Sequence, residues 1–452
     1  MKKGNGTSRR QFLKIGALGL GGLVISERSY KYFKRSNVKA KIVIVGGGAA
    51  GITMAAYLSE MIHDEDITII EPNVKHHYQP GYTMIAGGVF DADDVVKDTK
   101  SLLPRNVKWI QDSVKELNPE NNSLTTKKSG VVDYDYMVLV PGGQLNFDLI
   151  EGISRKELGK GNAHCIYDFN GAQKCYEAIT KLPQKKDAQL VFADTYTKIK
   201  CGGAPKKIAF MTEDYLRNEK ARDGKQVDFY TNSGSLFKPA VFGDRLEELF
   251  EQKEIKPHFQ HRLVSIDTYA KKAVFEKLPA PTLTATPFDA NYEKVNLDYD
   301  FLHFVPPMSA PDFIKKSDVV VKQGDLKHGG WVDVDKYTMI HNRYSNIVSL
   351  GDVSSLPTSK TGAAIRIQAP IAAKNLIAIM EGKTPTEKYN GYTACPIVTE
   401  YGKVLMCEFG YDKEVMPSFS MLDPGVDRSM WWMLKKHGLK PMYYHGMLTG
   451  LM

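Results

Sequence analysis

The sequence predicts an α/β protein of two doubly wound domains, the first interrupted by the second, followed by an amphipathic C-terminal region. Three observations carry this expectation. An apolar strand runs into a glycine-rich turn and a helix over residues 41–58, and a second strand, turn and helix over 189–216 lacks those glycines. A third strand, at 346–352, ends in Gly351-Asp352 close to the other end of the chain.

The 452 residues, 42% of them hydrophobic, give room for two or three domains with sizeable cores. Five cysteines without a CxxC pair argue against a disulfide scaffold, a structural zinc site and a short-spaced dithiol, so no metal is expected and any redox pair must come from distant segments. The net charge of +8 is spread among acids, which gives nucleic-acid binding no support. The mild basic excess suits an anionic membrane surface, where each nearby cation contributes about 1 kcal/mol.

Ser8-Arg9-Arg10-Gln11-Phe12-Leu13-Lys14 precedes an apolar run from Ile15 to Ile25. The run is too short to span a bilayer and has no polar face, and it resembles a twin-arginine export signal. Residues 1–37 are therefore read as signal or anchor, and the expected location is the periplasmic face of the cytoplasmic membrane, peripheral or monotopic. That route carries folded proteins and suits one that takes up its cofactor before export.

The mature fold begins near Val38. After the strand that starts at Lys41 comes Gly46-Gly47-Gly48-Ala49-Ala50-Gly51, a Rossmann-like fingerprint. Gly46 permits the turn, Gly48 allows close approach of a pyrophosphate, and Gly51 lets helix and strand pack closely, while the helix N-terminus offers N–H donors. Glu71 ends the next strand, where the fingerprint places an acid for ribose hydroxyls. Tyr134 to Gly142 resembles the strand and turn that close the FAD domain of flavoproteins with two dinucleotide-binding domains, with Val-Pro-Gly where many relatives have Ala-Thr-Gly. Gly351-Asp352 resembles the turn that places an acid near the FAD ribityl and pyrophosphate. FAD is thus expected between segments far apart in sequence. The FAD domain comprises 38–150 and 295–385, and a second Rossmann-like domain fills 151–294.

In that second domain the strand Gln189 to Ala193 is followed by no GxGxxG, so a nicotinamide site is missing or disabled. The turn carries Lys200-Cys201-Gly202-Gly203-Ala204-Pro205 into a helix. A thiol beside a lysine at a helix N-terminus is favoured as thiolate, which marks Cys201 for chemistry. Cys165 and Cys175 lack such surroundings and read as packed residues.

With Lys200 to Ile208, His303 to Ser309, Gly330 to Lys336, Leu356 to Thr361 and Lys388 to Pro396 in this order, the chain resembles the sulfide:quinone oxidoreductase family, in its mitochondrial-like branch, over almost all of its mature length. The resemblance implies that Cys201 and Cys395 form a disulfide on one face of the flavin, opposite the quinone site. Sulfide attacks the pair, leaving a persulfide on Cys395 and releasing Cys201 as a thiolate that passes two electrons to FAD and thence to a quinone. The sulfane sulfur goes to a thiol, sulfite or further sulfide. Lys360 and Lys374 are candidates for positive charge near the flavin, and Cys407 is a candidate third redox cysteine. No cysteine precedes Cys165, so FAD is expected to be non-covalent. That weighs against the flavin subunit of a flavocytochrome c sulfide dehydrogenase. The missing second fingerprint weighs against an NADH:quinone oxidoreductase, and a non-catalytic FAD-binding assembly protein is the third alternative.

Residues 386–452 carry Cys395 and then Met430-Trp431-Trp432-Met433-Leu434 beside Lys435 and Lys436. This composition fits a short helix lying in a membrane interface. No stretch beyond the signal reads as a membrane span. The sulfur acceptor, the quinone type and a homo-oligomeric state stay open.

Overall fold

A computed structural model describes residues 35–279 and 292–452; the twin-arginine-like stretch lies outside the described residues. The run Lys-Ile-Val-Ile-Val forms β1 (Lys41–Val45), buried at four of its five positions, as a parallel strand covered on both faces should be. It leads through the glycine turn into α1 (Ala49–Met61), then β2 (Asp66–Ile70), β3 (Lys108–Ile110) and β4 (Tyr136–Leu139).

The chain then crosses into a second unit. There β5 (Ala163–His164), α2 (Phe169–Ile179), β6 (Ala188–Ala193), α3 (Ala204–Asn218), β7 (Lys225–Tyr230), α4 (Ala240–Gln252), β8 (Ile255–His258) and β9 (Phe301–His303) alternate. It returns with β10 (Ile347–Val348), α5 (Gly362–Met380), the hairpin β11 (Thr393–Glu400) and β12 (Lys403–Phe409), and α6 (Ser429–Met433).

Two five-stranded sheets result, ordered β10-β4-β1-β2-β3 and β5-β9-β6-β7-β8. Every pairing within them is parallel. In such sheets ligands bind outside the carboxyl ends of the strands, which directs attention to the turns after β1, β4, β6 and β10. The strand Phe301–His303 belongs to the second sheet although it lies past the expected boundary at 294: the chain runs through an antiparallel ribbon, His261–Asp267, Lys272–Lys277 and Glu293–Asp298, before it rejoins β6.

Contrary to the expectation that no later segment could span a bilayer, α5 is long and apolar enough by composition. It is a core helix. Thr361 caps it, accepting from the Ala364 N–H, and Ala364, Ala369, Ala372 and Ala373 are buried small residues that let it pack closely along α1.

The C-terminal segment is also largely packed. Trp431, Tyr443, Tyr444, Met447 and Leu448 are buried, and the Tyr57 hydroxyl on α1 donates to the carbonyl of Met452 at 2.6 Å. Only one side of this segment fits the interfacial helix expected there: Met430 and Met433 are exposed, together with Phe419 and Met421 from the preceding loop.

Candidate active site

Three turns converge at the carboxyl ends of the first sheet. Gly46 has φ +106°, and a Cβ there would lie 2.6 Å from the Val140 carbonyl oxygen, so β1 and β4 meet only through glycine. A Cβ on Gly51 would come within 1.8 Å of the Gly46 oxygen. By contrast, a Cβ on Gly48 or Gly142 would meet nothing within 4 Å, so the backbone at both stands open to a ligand. Gly351 approaches Ala50, and Gly143 approaches Asp352, which brings the β10 turn beside the other two. The Gly47 N–H donates to Glu71 Oε2 at 2.7 Å, while Glu71 Oε1 accepts from the Asn73 backbone at 2.8 Å. An open glycine turn at a helix N-terminus with a carboxylate at its side fits the pyrophosphate and ribose of FAD.

Cys201 sits after β6 with φ +52°, a left-handed conformation unusual for a side chain of its kind. Its N–H donates to the Lys360 carbonyl at 2.9 Å, and its own carbonyl accepts from the Tyr167 hydroxyl at 2.9 Å. Cys395, on β11, lies with its Sγ 3.8 Å from Cys201 Sγ. A Cβ on Gly203 would clash with Cys395 Sγ at 2.6 Å, so this glycine is what lets the hairpin approach the cysteine turn. Cys407 faces Cys395 across the ladder, and its Sγ contacts the Leu405 carbonyl at 3.9 Å.

The cation at the thiol is not Lys200. That side chain donates to Gln79 Oε1 at 2.8 Å, whereas Lys207, almost completely buried, places its Nζ 3.2 Å from Cys201 Sγ. Lys207 follows Lys200 by seven residues, and the first turn of α3 aims it back at the cysteine. The hydrogen bond from Cys395 and then the charge of Lys207 outweigh burial and hold the Cys201 thiol well below its ordinary range. The same hydrogen bond, and burial, push Cys395 well above it. Burial likewise raises Cys407, and Cys165 to about 12, so Cys201 is the favoured thiolate of this group.

A second amine faces the pair from the C-terminal segment. Lys435, in the π-helical turn Leu434–Gly438, is buried and pushed down to about 7, chiefly by burial and then by the Lys207 charge, with Cys201 and Cys395 opposing. Lys360 lies near Asp352. Its Nζ lies 4.1 Å over the Trp331 ring and donates to the Ser354 carbonyl at 2.8 Å, and burial lowers it to about 8 against the pull of Asp352. Lys374 stands away from this region, paired with Glu387 on the surface.

Lys360 also lines a small cavity with Gly351, Thr361 and Gln368. Across Trp331 opens a larger one of about 360 Å³, bordered by Thr197, Lys198, Met308, Asp325 and His328.

Reasoning from the sequence missed Lys207, Lys435 and His76. His76 Nε2 contacts the Tyr443 hydroxyl at 2.6 Å and its Nδ1 the Gly47 carbonyl at 3.3 Å, tying the C-terminal segment to the glycine turn. Burial keeps His76 neutral by lowering it to about 4. For Lys207 a signal existed, since six residues from Cys201 on a helix start brings it back to the turn; Lys435 carried none.

The pyridine nucleotide-disulphide oxidoreductase family model matches residues 40–186. The chain is 39% identical to the mitochondrial sulfide:quinone oxidoreductase of Dictyostelium discoideum, over 92% of this chain and 87% of the relative. It is 34% identical to the mitochondrial sulfide:quinone oxidoreductase of Mus musculus, over 91% of this chain and 86% of the relative. In fold it matches the sulfide:quinone oxidoreductase of Aquifex aeolicus with a TM-score of 0.74 at 20% identity, covering 91% of this chain and 92% of that one. The relatives at 34–39% identity carry a mitochondrial location in their names, which overturns the expectation of twin-arginine export to the periplasmic face.

Proposed function

The chain belongs to the sulfide:quinone oxidoreductase family, and from that premise we propose that Cys201 and Cys395 are the pair that sulfide attacks. It is an FAD-dependent enzyme that takes sulfide and quinone as substrates. The observation that carries the assignment of the pair is the asymmetry of the two sulfurs: Lys207 stands 3.2 Å from Cys201 Sγ, while Cys395 lies 3.8 Å from Cys201 without such a cation in hydrogen-bond contact.

In the disulfide form, HS⁻ bonds to Cys395 Sγ as the Cys201–Cys395 bond breaks, and Cys201 departs as a thiolate. A leaving sulfur departs faster when its pKa is low, which assigns departure to Cys201 and attack to Cys395. Lys435, which is coupled electrostatically to both sulfurs, is the proposed acceptor of the proton that H₂S gives up. The sulfane sulfur then moves to an acceptor, and the cysteines re-form their disulfide by losing two electrons. FAD, when bound, receives that electron pair and delivers it to quinone. Gly48, Gly51, Glu71, Gly142 and Asp352 would hold it, and Lys360 would supply positive charge beside it. The net change is sulfide plus acceptor thiol plus quinone to persulfide plus quinol, which balances atoms and electrons. The cavity by Lys198 and His328 is the proposed route for the acceptor, since it opens beside the loop that leads from β6 to Cys201.

Anaerobic addition of sulfide to the purified yellow protein should bleach the flavin, while NADH should leave it oxidised. Bleaching by NADH and not by sulfide would overturn the reading. FAD held without a covalent link should leave the protein completely on acid precipitation; colour retained in the pellet would contradict it.

Membrane docking is assigned to the exposed side of the C-terminal region: Phe419, Met421, Met430 and Met433 form its apolar face. Truncation at Met430 would also remove Lys435 and Tyr443, so point variants test this better. Met421→Asp with Met433→Asp should shift the protein off lipid vesicles by about tenfold or more, since each buried apolar side chain contributes roughly 1.5–3 kcal/mol. Quinone reduction should fall while flavin reduction by sulfide is unchanged. Unaltered vesicle partitioning would rule this face out.

A further inference from the structure

The second sheet has the topology of a nucleotide-binding domain, yet the place where its pyrophosphate would lie, between the end of β6 and the start of α3, is filled by a pair of the chain's own charges. Lys206 Nζ lies 3.0 Å from Asp194 Oδ2 and 3.3 Å from the Gly202 carbonyl, with the Phe229 ring beneath it at 4.9 Å. The two side chains are only 5% and 12% exposed. The Thr231 hydroxyl donates to the same Asp194 oxygen at 2.9 Å, so β6, β7 and the first turn of α3 are locked together at this point.

We propose that the Asp194–Lys206 pair is a positioning device for Cys201, converting a disused nucleotide cradle into a brace for the reactive turn. Gly202 follows Cys201 directly, and its carbonyl is the one Lys206 holds. Cys201 keeps φ +52°, a strained conformation that persists only where the surroundings over-determine it. Lys360 fixes the Cys201 N–H, Tyr167 and the Ala204 N–H fix its carbonyl, and Lys206 fixes the next carbonyl. With all of these in place, Cys201 Sγ is directed at both Lys207 and Cys395. Release of the Gly202 carbonyl frees the turn to rotate, and the Lys207 contact at 3.2 Å is what such a rotation breaks first. Lys206 thus acts through Cys201.

This rests on the reading of Cys201 as the reactive thiolate, and the experiment separates the two. The full-length, FAD-loaded protein is compared with Lys206→Met, with the double variant Asp194→Asn/Lys206→Met, and with Cys201→Ser. Removing one member of a buried ion pair is strongly destabilising, whereas removing both charges together spares the fold. Two quantities are read: the rate of flavin reduction by saturating sulfide, and the pH dependence of Cys201 alkylation by iodoacetamide in the reduced protein. The double variant should keep its FAD, lose about 100-fold in flavin reduction, the scale of a 1 Å misplacement, and show an alkylation profile moved to higher pH. A merely structural pair would leave that profile where it was. Wild-type rate and profile in the folded double variant, with Cys201→Ser inactive, overturn the brace alone. Normal flavin reduction in Cys201→Ser overturns the assignment of Cys201 itself.

Discussion

Cys201→Ser and Cys395→Ser are each expected to retain FAD and to lose sulfide-driven quinone reduction by roughly 10⁴-fold or more, the scale on which a covalent catalytic unit fails when one member is removed. The chemistry needs one sulfur to be attacked and the other to leave, and a serine oxygen does neither from a disulfide. The FAD cradle proposed above comprises Gly48, Gly51, Glu71, Gly142 and Asp352, none of which leans on the pair, so the yellow colour should persist in both variants. Their spectra should differ. Cys395→Ser keeps Cys201 beside Lys207, free to lie against the flavin as a thiolate and to give a long-wavelength charge-transfer band, which Cys201→Ser cannot give. Because the two residues act as a unit, the double variant should be no worse than either single one. Cys165→Ser and Cys175→Ser alter fully buried positions, and their effect should fall on stability, by up to a few kcal/mol, with turnover intact. Near-normal turnover by Cys395→Ser with loss in Cys407→Ser would reassign the partner of Cys201.

What could be read in the sequence was set by how far apart the contributing residues lie. The Gly46–Gly51 turn, Glu71 and the strand before Gly142 are local patterns with a known period and spacing, and each imposes its own backbone geometry. The lack of a GxGxxG pattern after β6 was equally visible, although not what took its place: Asp194 and Lys206 look like ordinary surface charges until β7 and Phe229 enclose them. The lysine at the thiol was misjudged for a related reason. Lys200 is next to Cys201 in sequence, but the left-handed turn at Cys201 sends its side chain toward Gln79, and the helix that follows returns Lys207 instead. Lys435 was out of reach altogether, since it comes from a tail whose composition resembles an interfacial helix. Trp431, Tyr443 and Tyr444 bury one side of that tail against the body and leave Met430 and Met433 outside, a division that no periodicity over so short a segment discloses.

Lys207→Met is expected to produce a loss that depends on pH, and the sign follows from the two titrations. Cys201 is held below its ordinary value, so in the reduced protein its thiolate adds stability that is present above the ordinary thiol pKa of about 9 and is lost as pH falls through the lowered one. Lys207 is held above its ordinary value, with the thiols as the raising cause against burial. Its contribution is complete below the ordinary amine pKa and is lost only as pH rises past it. Both shifts therefore favour the charged forms of the two partners in the wild-type protein. With methionine in place of Lys207, Cys201 loses its nearest cation while it stays buried, and its pKa rises. Each unit by which the raised value stands above the pH lowers the fraction of Cys201 present as thiolate, the form that passes electrons on, about tenfold. Flavin reduction at pH 7 should therefore fall on the order of 10- to 100-fold, and the deficit should shrink as pH is raised toward 9–10, where the thiolate forms without help. Lys435 compensates only in part, because burial, the larger cause of its lowering, remains when the Lys207 charge is removed. In the wild-type protein its value of about 7 makes it increasingly neutral above that pH, leaving the thiolate to Lys207. Lys435→Met should accordingly show its largest effect at and below neutrality, opposite in trend to what a shared electrostatic role at alkaline pH would give. A Lys207→Met deficit of the same size at pH 7 and pH 10, with an unshifted alkylation profile for Cys201, would assign this lysine to packing and remove it from the chemistry.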